Sequence, residues 1–340
     1  MIDERLLQVP PLKMDCPNCR QRLDLSDLPP EAVVRCPNCR QRLTVPRQFA
    51  VYQLFELLQQ SDRASVYQAY DPALDRPLAI KILHPYKDPA LVVLQREIFY
   101  YSGQISAWLN QPAVARVYSV GEEAGLPFQV MELLTARTLA ELGRQGSRYD
   151  LELLLRNLVS LADALGAAAV SGVGHHELWP GNLLLDADGL VRILNFRPPP
   201  DPLAEPVIPS ESCPFIRYLS PERLTIGEES VASDVYSLGV IAYELLSGVH
   251  PFELCDLGEM IDSQYRNSFV SLARREPSLD AATADLIDRM INGEVGGRPE
   301  YPEIQVTFQT ALERVIEARN ATGLFARLRK YLPSLETTGS

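Results

Sequence analysis

Positive charge is what this 340-residue chain has too little of: 32 Lys and Arg face 44 Asp and Glu, a formal net charge of -12 and a pI near 4.9. Neutralising phosphate takes clustered Lys and Arg, so the balance argues against a whole-protein nucleic-acid binder and against a protein that lies on an anionic membrane. Long apolar runs are missing too. Nothing reaches the roughly eighteen uninterrupted apolar residues of a spanning helix, and the start "MIDERLLQVPPLK" has no basic segment followed by an apolar one. These absences lead to the expectation of a cytoplasmic protein with neither a membrane nor a nucleic acid as partner. What is present, 46% hydrophobic and 22% charged residues, is an ordinary globular composition, long enough for one two-lobed domain or two smaller ones.

Cysteine is scarce and concentrated. Four of the six, Cys16, Cys19, Cys36 and Cys39, fall in two copies of the octapeptide "CPNCRQRL", offset by twenty residues, while Cys213 and Cys255 are isolated. Two C-x-x-C knuckles separated by sixteen residues can bring four thiolates round one tetrahedral Zn2+. A disulfide framework is the weaker alternative in a chain read as cytoplasmic, and no strand-helix-strand unit surrounds either knuckle to make it a redox pair. The reading is a zinc ribbon over residues 1–48 whose metal is structural, because a segment this short has too little core to fold alone. Those residues carry eight basic against six acidic side chains. Four thiolates and one Zn2+ cancel that excess, so a protein contact is favoured over nucleic acid.

Only "VPRQFAV" separates the last knuckle from "YQLFELL", which reads as a strand, so the ribbon is expected to pack on the next domain. "SVYQAYD" and "PLAIKIL" continue an antiparallel meander. Asp88 and Pro89 then open a helix, with Leu94, Ile98, Tyr101 and Ile105 at helical spacing as its apolar stripe and Glu97 beside it. Further strands fit "ARVYSVG" and "FQVMELL", after which helical periodicity dominates, at 151–171, 233–247, 281–292 and 303–318. A small β-rich lobe precedes a larger α-helical lobe, an α+β bilobal architecture, with a tail over 319–340.

Over residues 52–318, "LAIK" with Glu97 downstream, "VMELL", "SPE" and "SDVYSLGVIAYELLSGVHPF" follow one another in an order and spacing that resemble a eukaryotic-type Ser/Thr protein kinase. "LAIK" resembles the third-strand V-A-I-K motif, which makes Lys81 the lysine for the nucleotide's α- and β-phosphates and Glu97 its helix partner. "VMELL" resembles the hinge, with Met131 at the gatekeeper position and Leu133 two residues on, both implied to border the nucleotide. "SPE" at Ser220 to Glu222 resembles A-P-E, Asp234 in "SDVYSLGVIAYELLSGVHPF" matches the anchor of the catalytic-loop backbone, and Arg298 matches the late partner of the A-P-E Glu. Ala79, Val66, Leu184, His175, Tyr101 and Phe196 stand where the family stacks its internal apolar spines.

The loop "HHELWPGN" stands in the place of H-R-D-L-x-x-x-N and departs from it where chemistry is done. Glu177 replaces the catalytic Asp, His176 the Arg that would hold an activation-loop phosphate, and Trp179 the usual Lys; His175 and Asn182 match. "ILNFR" puts Asn195 at the metal-binding Asp of D-F-G and Arg197 at its Gly, and the phosphate-loop glycines become Gln59, Ser61 and Ala64. A neutral amide holds a hard dication far less strongly than a carboxylate, and one extra methylene displaces a general base. The resemblance therefore implies a pseudokinase, a degenerate ATP and Mg2+ site, and a regulatory or scaffolding role toward an unidentified protein partner. Two alternatives stay open: a low-activity Ser/Thr kinase using Glu177 as base, and a nucleotide sensor without turnover. The activation segment "RPPPDPLAEPVIP" is stiff with proline, and Ser210 or Ser212 would find no Arg at position 176 to receive a phosphate.

Overall fold

The computed structural model describes residues 13–16, 18–29, 32–85, 88–134, 136–143, 150–199, 213–252 and 256–329; the expectations for Ser210, Ser212 and Cys255 lie outside them. The repeated octapeptide builds the same hairpin twice. Strands β1 (Lys13–Asp15) and β2 (Arg22–Asp24) pair antiparallel, as do β3 (Val33–Arg35) and β4 (Arg42–Thr44). Each knuckle turns through an Arg at positive φ, 57° at Arg20 and 62° at Arg40. The N–H groups of these two residues donate to Cys16 O at 2.8 Å and to Cys36 O at 2.9 Å. Leu23, Leu25, Leu43 and Val45 close a small core over Cys16 and Cys36.

A six-stranded antiparallel sheet follows from β5 (Arg47–Phe49), β6 (Tyr52–Gln60), β7 (Ala64–Asp71), β8 (Arg76–Leu83), β9 (Val117–Glu123) and β10 (Leu126–Met131), in the order β5-β6-β7-β8-β10-β9. Phe49 enters its core with Leu54, Leu78, Ile80, Ile82, Phe128 and Val130. The strand that leaves the ribbon is thus an edge strand of the sheet, and Gln53 Nε2 also donates to Lys13 O at 3.4 Å. The ribbon is fastened to the sheet by backbone pairing as well as by the short connection.

Helix α1 (Pro89–Leu109) runs between β8 and β9. Its buried face is not the stripe expected from its large apolar residues. Leu94 is 48% exposed, whereas Phe99, Ser102, Ser106 and Leu109 are buried. The reason is steric: at Gly103 an added Cβ would collide with Val120, and Gln129 Nε2 reaches Phe99 O at 2.6 Å. Small residues let the helix approach the sheet closely beside Phe99 and Leu109, which leaves Ile98, Tyr101 and Ile105 half-buried and Leu94 exposed.

The other compact unit, residues 111–113, 136–194 and 198 onward, is mostly helical. It begins with the short strand β11 (Arg137–Thr138) and α2 (Leu139–Gly143), then α3 (Leu151–Val170), β12 (Leu183–Leu185) and β13 (Val191–Ile193), with β11-β12-β13 forming a small sheet. Helices α4 (Pro221–Thr225), α5 (Val231–Ser247), α6 (Leu257–Tyr265), α7 (Leu272–Arg275), α8 (Ala281–Met290) and α9 (Tyr301–Arg329) complete it. Asp150 caps α3 by accepting from Leu153 N, a Ser230/Ser233 capping box opens α5, and Gly248 at φ 76° ends α5. By length and apolarity α3 alone among the described helices could span a membrane, but its Leu155, Leu158, Leu161 and Leu165 are buried in this unit's core. Helix α9 continues to Arg329, past the boundary at 318 where a tail was expected.

Candidate active site and four-cysteine centre

In the helical unit, the loop between α3 and β12 is held from below by the first turn of α5. Asp234 accepts His175 N at 2.5 Å and His176 N at 3.0 Å, so its carboxylate fixes the loop's first two peptides. Burial raises its pKa to about 7, against those two donors, which favour the charged form. His175 is fully buried, with Nε2 2.8 Å from Leu194 O and Nδ1 accepting Glu177 N at 3.2 Å. Asn182 Nδ2 donates to Glu177 O at 2.8 Å, and Leu194 N donates to Asn182 O at 2.9 Å. Glu177, half-buried, is therefore positioned through its backbone at both ends.

Two partners of this loop were not foreseen from the sequence. His176, at φ 64°, has Nδ1 3.5 Å from Glu229 Oε2, and Glu229 is itself paired with Arg223. The position where the family's Arg would receive a phosphate is thus occupied by an internal, buried acid–base cluster. Trp179 is half-buried, its ring centroid 6.3 Å from that of Phe215, and it lies so close over residue 181 that any Cβ there would collide with the indole. Gly181 is what allows the large ring. Trp179 Nε1 is buried and has no hydrogen-bond partner among the described residues.

Glu222 and Arg298 form the pair expected of them. Arg298 Nη1 and Nη2 donate to the two carboxylate oxygens at 2.7 and 2.8 Å, and the guanidinium also donates to Ala232 O and Asn292 O and lies 5.0 Å from the Tyr236 ring centroid. Burial works against the Glu222 charge, yet Arg298 holds its carboxyl below the ordinary value.

In the sheet-bearing unit, which includes residues 195–197, Lys81 on β8 departs from expectation. Its Nζ donates to Asn195 Oδ1 at 2.7 Å and lies 5.7 Å from the Phe99 ring centroid. Glu97 is exposed and makes no ion pair with it. The physical reason is the seating of α1: with Phe99, Ser102 and Ser106 turned inward, Glu97 rotates out of reach. Met131 pairs in register with Ala79 and is half-buried, as is Leu133. Phe196 is fully buried and Asn195 is held at φ 65°, a conformation that Asn tolerates better than most residues.

The β6–β7 turn has no glycines at Gln59, Ser61 and Ala64, and it satisfies its own backbone. Ser61 Oγ accepts Arg63 N at 3.2 Å and Ala64 N at 3.1 Å, while His84 N donates to Arg63 O at 2.7 Å and His84 Nε2 lies 2.8 Å from Ser65 Oγ. N–H groups bonded to a serine hydroxyl are not free to cradle phosphate. A Ser at the head of "SDRA" is a legible turn signal; the His84 fastening, nineteen residues from Ser65, is not.

The four ribbon thiols converge. Cys16 and Cys39 Sγ are 3.5 Å apart, Cys19 and Cys36 Sγ 3.6 Å, and all four lie within 4.8 Å of one another. Tetrahedral Zn–S bonds of about 2.3 Å require sulfur–sulfur separations near 3.8 Å, so the four fit one metal ion with small adjustment. The Gln41 backbone N–H and the Asn18 side chain lower the Cys39 thiol to about 6, while Cys19, against its Gln21 backbone donor, is pushed up to about 11 by burial and by the Cys39 and Cys36 thiols.

A β-rich lobe followed by a helical one, a catalytic-type loop anchored by the Asp of α5, and a buried Glu–Arg tie behind it together define a protein-kinase-like fold. The chain belongs to the protein kinase domain family, whose model matches residues 52–307. It is 32% identical over 209 residues to the serine/threonine-protein kinase PknA of Mycobacterium tuberculosis, which covers 59% of this chain and 48% of that one. To PknL of M. tuberculosis it is 34% identical over 195 residues, 56% of this chain and 47% of the relative. To the probable kinase PknB of Lactococcus lactis it is 26% identical over 274 residues, 77% and 42%. The chain thus spans about half the length, or less, of these curated relatives. The crystal structure of the M. tuberculosis PknI kinase domain, solved as a point mutant, superposes with a TM-score of 0.58 at 21% identity, over 79% of this chain and 98% of that one, a likeness of fold.

Proposed function

We propose that this protein is a pseudokinase: a kinase fold used as a regulatory or scaffolding module for a protein partner in the cytoplasm, with a zinc ribbon whose metal is structural. The observation that carries the reading is the Lys81 Nζ–Asn195 Oδ1 bond. In a working kinase the lysine faces nucleotide phosphates and residue 195 would supply a carboxylate to Mg2+; here the ammonium already occupies the amide oxygen, and the amide brings no charge. The self-satisfied β6–β7 turn and Trp179 in place of a cation support the same conclusion.

Thermal shift with ATP and ADP, each with and without Mg2+, tests it. Any stabilisation is expected to be small and no larger with Mg2+ than without. A markedly greater shift with Mg-ATP would instead favour the second reading, a low-activity Ser/Thr kinase related to the relatives above. One observation favours that alternative: Glu177 and Asn182 keep a catalytic-loop backbone fixed by Asp234.

One zinc per chain is expected by metal analysis, falling to well under half in a Cys16→Ser, Cys36→Ser double variant, and chelation is expected to unfold the ribbon because bound metal is folding free energy there. An unchanged zinc content in the double variant would remove the metal from these cysteines.

A further inference from the structure

The two ribbon hairpins are copies, and one serves as an internal control for the other. In the first, cross-strand neighbours are opposite in charge: Lys13 faces Asp24, and Asp15 faces Arg22 with an Nη1–Oδ1 distance of 4.0 Å. In the second, Arg35 stands directly opposite Arg42, and Val33 faces Thr44. Both Arg35 and Arg42 are exposed, on the face opposite buried Leu43, and Arg40 is exposed in the adjoining turn. Among the described residues none of these three makes an ion pair or a side-chain hydrogen bond. Like charges directly opposite on a two-stranded ribbon destabilise it, and the copy shows how little sequence change would relieve the repulsion.

We propose that the β3–β4 hairpin is a binding surface for an acidic peptide segment of a protein partner, whose anionic group sits between Arg35 and Arg42 with Arg40 at its edge. Facing guanidinium groups about 5 Å apart at their backbones suit a carboxylate or a phosphoryl group through bidentate hydrogen bonds. A nucleic acid fits less well. Strands of three residues, about 10 Å long, engage one or two anionic groups, and an extended polyanion would meet a chain of net charge -12. This surface does not depend on whether the kinase domain transfers phosphate.

The test uses the full zinc-loaded chain and fluorescence anisotropy with four labelled probes: an alternating Glu-Gly peptide, the same peptide with a central phosphoserine, a Gln-Gly analogue, and oligo-dT. Binding of the acidic peptides but not the Gln-Gly analogue is expected, weakening with salt. The tighter of the two acidic peptides identifies the recognised group as carboxylate or phosphoryl. Arg35→Asp recreates the first hairpin's pairing, so it is expected to weaken binding by about tenfold or more while leaving the melting temperature equal or higher. Arg22→Ala is expected to leave binding unchanged. No binding by the wild type, tighter binding of oligo-dT, or an Arg35→Asp variant that melts lower or binds as well as wild type would each overturn the proposal.

Discussion

Arg298→Ala is expected to lower the unfolding free energy by about 3–5 kcal/mol, the usual cost of leaving one half of a buried ion pair without its partner. Both side chains are nearly inaccessible, 1% for Arg298 and 10% for Glu222, and the Ser233 hydroxyl that Glu222 Oε1 also accepts, at 2.8 Å, is a neutral donor that does not replace the guanidinium's charge. The guanidinium further ties the α8–α9 connection to α5 through Asn292 O and Ala232 O. Replacing both partners, Glu222→Leu with Arg298→Met, is expected to recover part of the loss, because no charge is then buried alone. Because the folded pKa of Glu222 is depressed, the pair's contribution is complete above the carboxyl's ordinary 4.5 and is lost as pH falls through the lower folded value. Urea unfolding of the single and double variants at neutral and acid pH measures this. A loss below about 1 kcal/mol in the single variant would mean that the pair is screened as a surface pair is.

Restoring carboxylates of family length at both degenerate positions, Glu177→Asp with Asn195→Asp, is expected to leave phosphoryl transfer below about 0.01 s⁻¹, against the roughly 1–100 s⁻¹ typical of protein kinases. A well-placed general base contributes about 10²- to 10⁴-fold, and a metal anchor adds to it, but neither changes the β6–β7 turn or Trp179. Ser61 Oγ still holds the N–H groups of Arg63 and Ala64, and an indole still stands where a cation should. Autophosphorylation and ADP release in Mg2+ or Mn2+ are the assays. Robust turnover in the double variant alone would show that the two carboxylates were the whole deficit; turnover in the wild type would establish the low-activity kinase instead.

Trp179 illustrates how far a local motif can be read. Its place in "HHELWPGN" was legible as the loss of a cation, but the sequence did not show that Gly181 is what makes room for the ring, or that Phe215 borders it. Likewise His176 was legible as a missing phosphate receiver, whereas Glu229 and Arg223, which took over its surroundings, lie some fifty residues downstream, beside motifs that say nothing of a contact with position 176.

The sequence by itself determined the ribbon and the kinase fold, because both are written in short-range signals. Two identical octapeptides lead to two like knuckles, alternating strands and capped helices are local patterns, and the roles of Asp234, Glu222 and Arg298 are what their resemblance to kinase motifs implies. Only the tertiary structure decided which face of α1 is buried. Hydrophobic periodicity pointed to Leu94, Ile98, Tyr101 and Ile105, yet close packing on β9 and β10 favoured Ser102, Gly103 and Ser106, since small side chains allow the nearest approach. That rotation took Glu97 away from Lys81 and left the ammonium to Asn195, residue partners 114 positions apart. Which groups end within hydrogen-bond reach depends on how helix and sheet interlock, a property of three-dimensional packing that no local pattern encodes.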